Sequence, residues 1–99
     1  MEEQKIQLKH PEGKKAVSIS KHTYELLKTE LVKCLTEKTD QTFTEISKTI
    51  VQKLKEKNLK FNGSLNWYLE WVKLDLEARQ IITRTSAKSP QKYSLVKHG

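Results

Sequence analysis

The stretch Ser64-Leu65-Asn66-Trp67-Tyr68-Leu69-Glu70-Trp71-Val72-Lys73-Leu74-Asp75-Leu76-Glu77-Ala78-Arg79 constrains the fold more than any other part of the chain. At ~100° per residue, Leu65, Leu69, Val72 and Leu76 fall on one side of a helix, and Trp67, Trp71, Leu74 and Ala78 on the opposite side. Only a strip of Asn66, Glu70, Lys73 and Glu77 stays polar, with Asp75 alone between the two apolar faces. A helix that is apolar on two sides must be covered twice. One cover is the rest of the domain; the other is the N-terminal arm, a second copy of the chain, or a partner.

Ninety-nine residues suit one domain, large enough to bury a modest core without metal or disulfide help. The single cysteine, Cys34, cannot form an internal bridge. No apolar run approaches the ~18 residues of a membrane span, and no secretory h-region is evident, so a cytoplasmic protein is expected. Hydrophobic residues make up 35% and charged residues 31%, a lean balance that places the weakest packing in about the first fifteen residues. The net charge of +7 and pI of about 9.5 favour an anionic partner such as nucleic acid, and a solvated lysine surface gives the same numbers. The charge is uneven: residues 64–80 carry −1, whereas residues 81–99 carry +4 with no acid.

Residues 1–16 are polar and broken by His10-Pro11-Glu12-Gly13, so residues 1–19 read as an arm, with Val17 and Ile19 in a short extended piece before an N-cap at Ser20. Tyr24, Leu27, Leu31, Cys34 and Leu35 then recur at helical spacing to about Lys38, with Glu25, Lys28, Glu30 and Glu37 elsewhere on the wheel. Thr42-Phe43-Thr44-Glu45 matches a capping box that opens a second helix, whose buried stripe is Phe43, Ile46, Ile50 and Leu54. Lys48, Gln52 and Lys55 face solvent. The turn Asn58 to Gly63 offers Leu59 and Phe61 to plug the core, and Ser64 caps the third helix. After Arg79 the period changes: Ile81 to Thr85 and Lys92 to Val96 are β-rich and flank a loop at Ser86 to Gln91, a two-stranded hairpin.

Three helices followed by a hairpin, with the capping box Thr42-Phe43-Thr44-Glu45-Ile46 at the second helix, resemble the winged helix-turn-helix domain over residues 20–97. The segment Trp71 to Arg84 is similar to the junction at which such domains pass from the third helix into the wing, often through Leu-x-x-x-Gly-Leu-Ile. The chain also resembles small bacterial proteins of uncharacterised role with this layout. The resemblance implies a mainly α fold, a three-helix core followed by a two-stranded β-hairpin wing, and DNA binding. Where the family pattern has Gly this chain has Gln80, which either adopts a left-handed conformation or lets the helix run on. The strip that would face a major groove carries Glu70 and Glu77, which repel phosphates. DNA contact is therefore expected from the wing and second helix: Lys48, Lys55, Arg84, Lys88 and Lys92.

Trp67, Trp71, Leu74 and Ala78 form the candidate interface, for a homodimer or a protein partner, unless Val17, Ile19 or Leu26 covers them within one chain. Cys34 lies on an apolar stripe without a cation to activate it. His10, His22 and His98 lack metal-ligand spacing, and no glycine-rich phosphate loop occurs. A non-catalytic protein without cofactor, metal, small-molecule ligand or membrane contact is expected. Its partner is either double-stranded DNA or a protein docked on the aromatic face.

Overall fold

The structure is a computed structural model that describes residues 4–57, 65–85 and 91–96. Its elements run β1 (Lys5–Gln7), β2 (Ser18–Ser20), α1 (Lys21–Glu37), β3 (Gln41–Thr42), α2 (Phe43–Glu56), α3 (Leu65–Ala78), β4 (Ile82–Arg84) and β5 (Lys92–Leu95). The fold is mainly helical with small antiparallel sheets. The expected turn at Asn58 to Gly63 with its plugs Leu59 and Phe61, the Ser64 cap, and the loop residues 86–90 lie outside the described residues.

Local chemistry explains the helix ends. The Ser20 hydroxyl accepts the Thr23 amide at the start of α1. At α2, Thr42 Oγ1 accepts the Glu45 amide at 3.2 Å while Glu45 accepts the Thr42 amide at 3.0 Å, the reciprocal pair expected from sequence. Those bonds hold the Glu45 carboxyl below its usual pKa. At the end of α3, Gln80 takes the left-handed conformation (φ 61°), and the amides of Gln80 and Ile81 bond the carbonyls of Glu77 and Leu76. This is a Schellman cap built without glycine, and it turns the chain directly into β4.

The core is formed by the expected stripes of the three helices: Leu27, Leu31 and Leu35 of α1, Ile46, Ile50 and Leu54 of α2, and Leu69, Val72 and Leu76 of α3. Cys34 is buried among them, and the Gln41 amide nitrogen donates to its carbonyl at 3.0 Å. Each fully buried Leu or Ile contributes about 1.5–3 kcal/mol relative to exposure. The C-terminal hairpin β4–β5 gains a third strand, because β3 adds to it in the order β3-β5-β4. Gln41 pairs with Tyr93 and Thr42 with Lys92, while Ile82 pairs with Leu95 and Arg84 with Tyr93. Asp40, also left-handed (φ 58°), locks this junction: its carboxylate accepts Ser94 Oγ at 2.9 Å, and its bonds to Thr85 and Ser94 lower its pKa.

Residues 5–20 depart from the expected polar arm. β1 and β2 form an antiparallel hairpin with Ile6 opposite Ile19, and Leu8 and Ile19 are buried in the core. Its turn lies against α3: the His10 ring meets Trp71 edge-on at 6.4 Å, and Ala78 borders the same depression as Leu8, His10 and Ala16. The N-terminal hairpin thus covers part of the second apolar face of α3, at Trp71 and Ala78, and leaves Trp67 exposed. Two charged side chains also differ from expectation. Glu30 is buried at 2% exposure and accepts Lys57 Nζ at 2.9 Å, because α2 ends beside it. Asp75, fully buried, accepts the Lys9 amide at 2.9 Å, Tyr24 Oη at 2.6 Å and Arg79 Nε at 2.8 Å. Burial and the bond to Asp75 push the Tyr24 phenol well above its ordinary pKa, and the same carboxylate raises that of Arg79.

Replacing Asp75 with Ala strands Tyr24 Oη, Arg79 and the Lys9 amide together. A loss of roughly 3–5 kcal/mol in urea unfolding is expected, with faster hydrogen exchange at the Lys9 amide. A cost under about 1 kcal/mol would contradict the assignment.

Candidate nucleic-acid interface

The charge of the polar strip of α3 argues against a recognition surface, since Glu70 and Glu77 repel phosphates. The structure ties most of that strip to other parts of the same chain. Asn66 Oδ1 accepts the Ser47 hydroxyl of α2. Lys73 is buried: its ammonium donates to Glu70 at 2.8 Å and to Tyr93 Oη at 3.2 Å, and lies 5.1 Å from the Phe43 ring centre and 5.0 Å from that of Tyr93. Glu77 accepts Arg84 Nε at 3.2 Å. The strip is the seam that joins α3 to α2 and the wing, so a base edge has no free donor fork to meet on this helix.

The Lys73 ammonium is worth separate consideration because lysines are rarely buried. Burial disfavours its charge, but the bonds to Glu70 and Tyr93 outweigh that, and its pKa stands above the ordinary lysine value. Two aromatic rings flanking the cation add to the same balance.

The basic residues expected at the interface fall into different situations. Lys48 and Lys55 are exposed on α2, seven residues apart, and neither has an ion pair among the described residues. Lys92 is exposed on β5 opposite Thr42, the N-cap of α2, so it stands at the start of the helix that carries the other two. Arg84 is committed within the chain, to Glu77 and to Gln91 Oε1 at 2.6 Å, with its guanidinium 5.9 Å from the Tyr93 ring centre. Lys88 lies outside the described residues.

The expected interface set is divided as well. Trp71, Leu74 and Ala78 are only partly exposed, whereas Trp67 is 46% exposed. Trp67 stands edge-on to Tyr68 at 5.1 Å and to Trp71 at 6.5 Å. Beside it a depression of about 260 Å³ is lined by Lys5, Ser18, Ser20, Thr23, Trp67 and Tyr68. A larger one, about 610 Å³, runs between the C-terminal halves of α1 and α2, with the Glu30–Lys57 pair in its wall. Among the described residues no group of His, Cys, Asp and Glu could hold a metal ion, and no helix is long and apolar enough to cross a membrane.

The seam gives the stability a direction in alkaline solution. Lys73 keeps its proton to higher pH when folded, so its contribution is complete below about 10.4 and is lost as pH rises through the folded value. Tyr24 acts in the same direction, since the unfolded phenol ionises near 10 and the buried one resists. Stability measured in urea should therefore fall steadily above about pH 10. Lys73→Met should lie within about 1.5 kcal/mol of the wild type at pH 7 and lose less between pH 10 and 11.5. Equal losses in the two proteins would contradict the role given to the ammonium.

No curated protein and no solved structure matches this chain. A family model matches residues 5–93, from the first residue of β1 to the middle of β5, and so takes in the N-terminal hairpin together with the helices and the wing. The chain belongs to that family, described as a family of unknown function (DUF6958).

Proposed function

We propose that this protein is a non-catalytic domain of winged-helix type that binds double-stranded DNA through its phosphate backbone, without reading bases. Lys48 and Lys55 of α2 and Lys92 of the wing make the contacts. The observation that carries this reading is the exposed pair Lys48 and Lys55 on α2, without an ion pair among the described residues, continued by Lys92 at the helix start, on a chain of net charge +7. Each lysine that neutralises a phosphate releases condensed counterions, which needs charge and reach but no base-specific fork. The strand β3 supports the winged-helix arrangement, because it fastens β5, with Lys92, to the N-terminus of α2.

A second reading rests on Trp67. An indole this exposed, with Tyr68 and Trp71 beside it, suits a protein partner or a second copy of the chain, since aromatic residues lead interface hot spots. The N-terminal hairpin already covers much of the remaining aromatic face, which leaves this surface small.

Fluorescence anisotropy of a labelled mixed-sequence duplex, titrated at several salt concentrations, separates the two. The expected result is a linear fall of log affinity with log salt. In the variant with Lys48, Lys55 and Lys92 all changed to Ala, the slope should shrink by about 2.7, or 0.9 for each contact. No binding even at low salt would refute the DNA reading and turn attention to Trp67.

A further inference from the structure

Among the described residues, Glu77 Oε1 is a buried side-chain oxygen with no hydrogen-bond partner. The side chain it belongs to is 8% exposed, and the other oxygen accepts Arg84 Nε at 3.2 Å. Native structures rarely leave such an atom unpaired, and each case calls for an explanation. The geometry of Arg84 supplies one. A guanidinium satisfies a carboxylate best with two parallel N–H groups, but here the fork is divided, Nε to Glu77 and Nη1 to Gln91 Oε1 at 2.6 Å. The arginine is 41% exposed, so its charge lies at the wing surface, while the acid that offsets it lies beneath.

We infer that Glu77 is an internal restraint that withholds Arg84, exposed on the other face of the hairpin from Lys92, from contact with phosphate. This rests on the backbone-binding reading and adds to it a cation held in reserve. A buried carboxylate with one hydrogen bond depends on that one cation, and moving the guanidinium to an external phosphate would leave the carboxylate uncompensated away from water. While the pair is intact, Arg84 brings no net charge to DNA and adds nothing to counterion release. A neutral side chain at position 77 frees the arginine, and the hairpin gains a bidentate phosphate ligand beside Tyr93, on the sheet face opposite to Lys92.

The test is a double-mutant cycle in the duplex titration, with the wild type, Glu77→Gln, Arg84→Ala and the double variant, each checked for folding by thermal unfolding. Glu25→Gln, at an exposed position of α1, controls for the general loss of one acid. Glu77→Gln should steepen the salt slope by about 0.9, so that its advantage over the wild type is about 3.5-fold larger at 50 mM than at 200 mM salt. Arg84→Ala should cancel that advantage in the Glu77→Gln background and leave the slope unchanged in the wild-type background. If Arg84→Ala alone does not fold, the comparison of Glu77→Gln with the double variant still reads the effect. Equal slopes for those two, or an equal gain in Glu25→Gln, would overturn the restraint while backbone binding stands. Absence of salt-dependent binding in the wild type and Glu77→Gln alike would overturn both.

Discussion

The docking of the N-terminal hairpin and of Tyr24 on α3 converges on one buried carboxylate. Asp75 lies between the helix's two apolar faces and receives three donors from separate parts of the chain: the Lys9 amide, the Tyr24 hydroxyl and Arg79 Nε. An isolated charge at zero exposure would be untenable, so the guanidinium and the two further hydrogen bonds are the condition for its presence. In satisfying it, the chain fixes the N-terminal hairpin onto α3 and α1 onto the other side of the same residue. One face of α3 is then buried in the core and part of the other lies under the hairpin, with Trp67 left exposed.

The same helix shows why charge pattern and function diverge here. Its polar strip holds the structure together: Asn66 to Ser47 of α2, Lys73 to Tyr93 of the wing, Glu77 to Arg84 of β4. A recognition helix would present such groups outward, and this one spends most of them on registration between elements. On α2, Lys48 and Lys55 have no ion pair among the described residues, and Lys92 of β5 is exposed near the Asp40 carboxylate, whose pKa it helps to lower. Lys53, Lys57 and Lys38 do have ion pairs, with Glu37, Glu30 and Glu45. The positive charge of the chain is therefore partly engaged in ion pairs and partly not, and at the end of α2 the two kinds alternate, with Lys55 between the paired Lys53 and Lys57.

What the sequence made legible is what is local. The stripes of the three helices, the Ser20 cap, the Thr42 and Glu45 capping box and the β4–β5 hairpin each follow from residues within one or two turns of each other. Gln80 left two outcomes open, and the Schellman bonds from Gln80 and Ile81 decide for the left-handed one. The N-terminal hairpin was missed because its signal is short: Ile6 and Leu8 alternate with Lys5, Gln7 and Lys9, only two apolar residues before a turn. Glu30 carried a clue, being three residues after Leu27 and four before Cys34, and so on the buried side of α1. Asp75 stood out on the wheel between two apolar faces, and Arg79 and Glu70 lie within a turn of Asp75 and Lys73, but the partners 66, 51 and 20 residues away are beyond what a helical wheel can show.

The most direct measurement of the account is an amide chemical-shift titration of the protein with a short mixed-sequence duplex at low salt. Backbone contact through α2 and the wing predicts that the largest shifts fall on residues around Lys48, Lys55 and Lys92, while Asn66 to Glu77 of α3 stay near their free positions. Shifts centred on the α3 strip would contradict it, because they would require the seam with α2 and the wing to open and α3 to meet the groove.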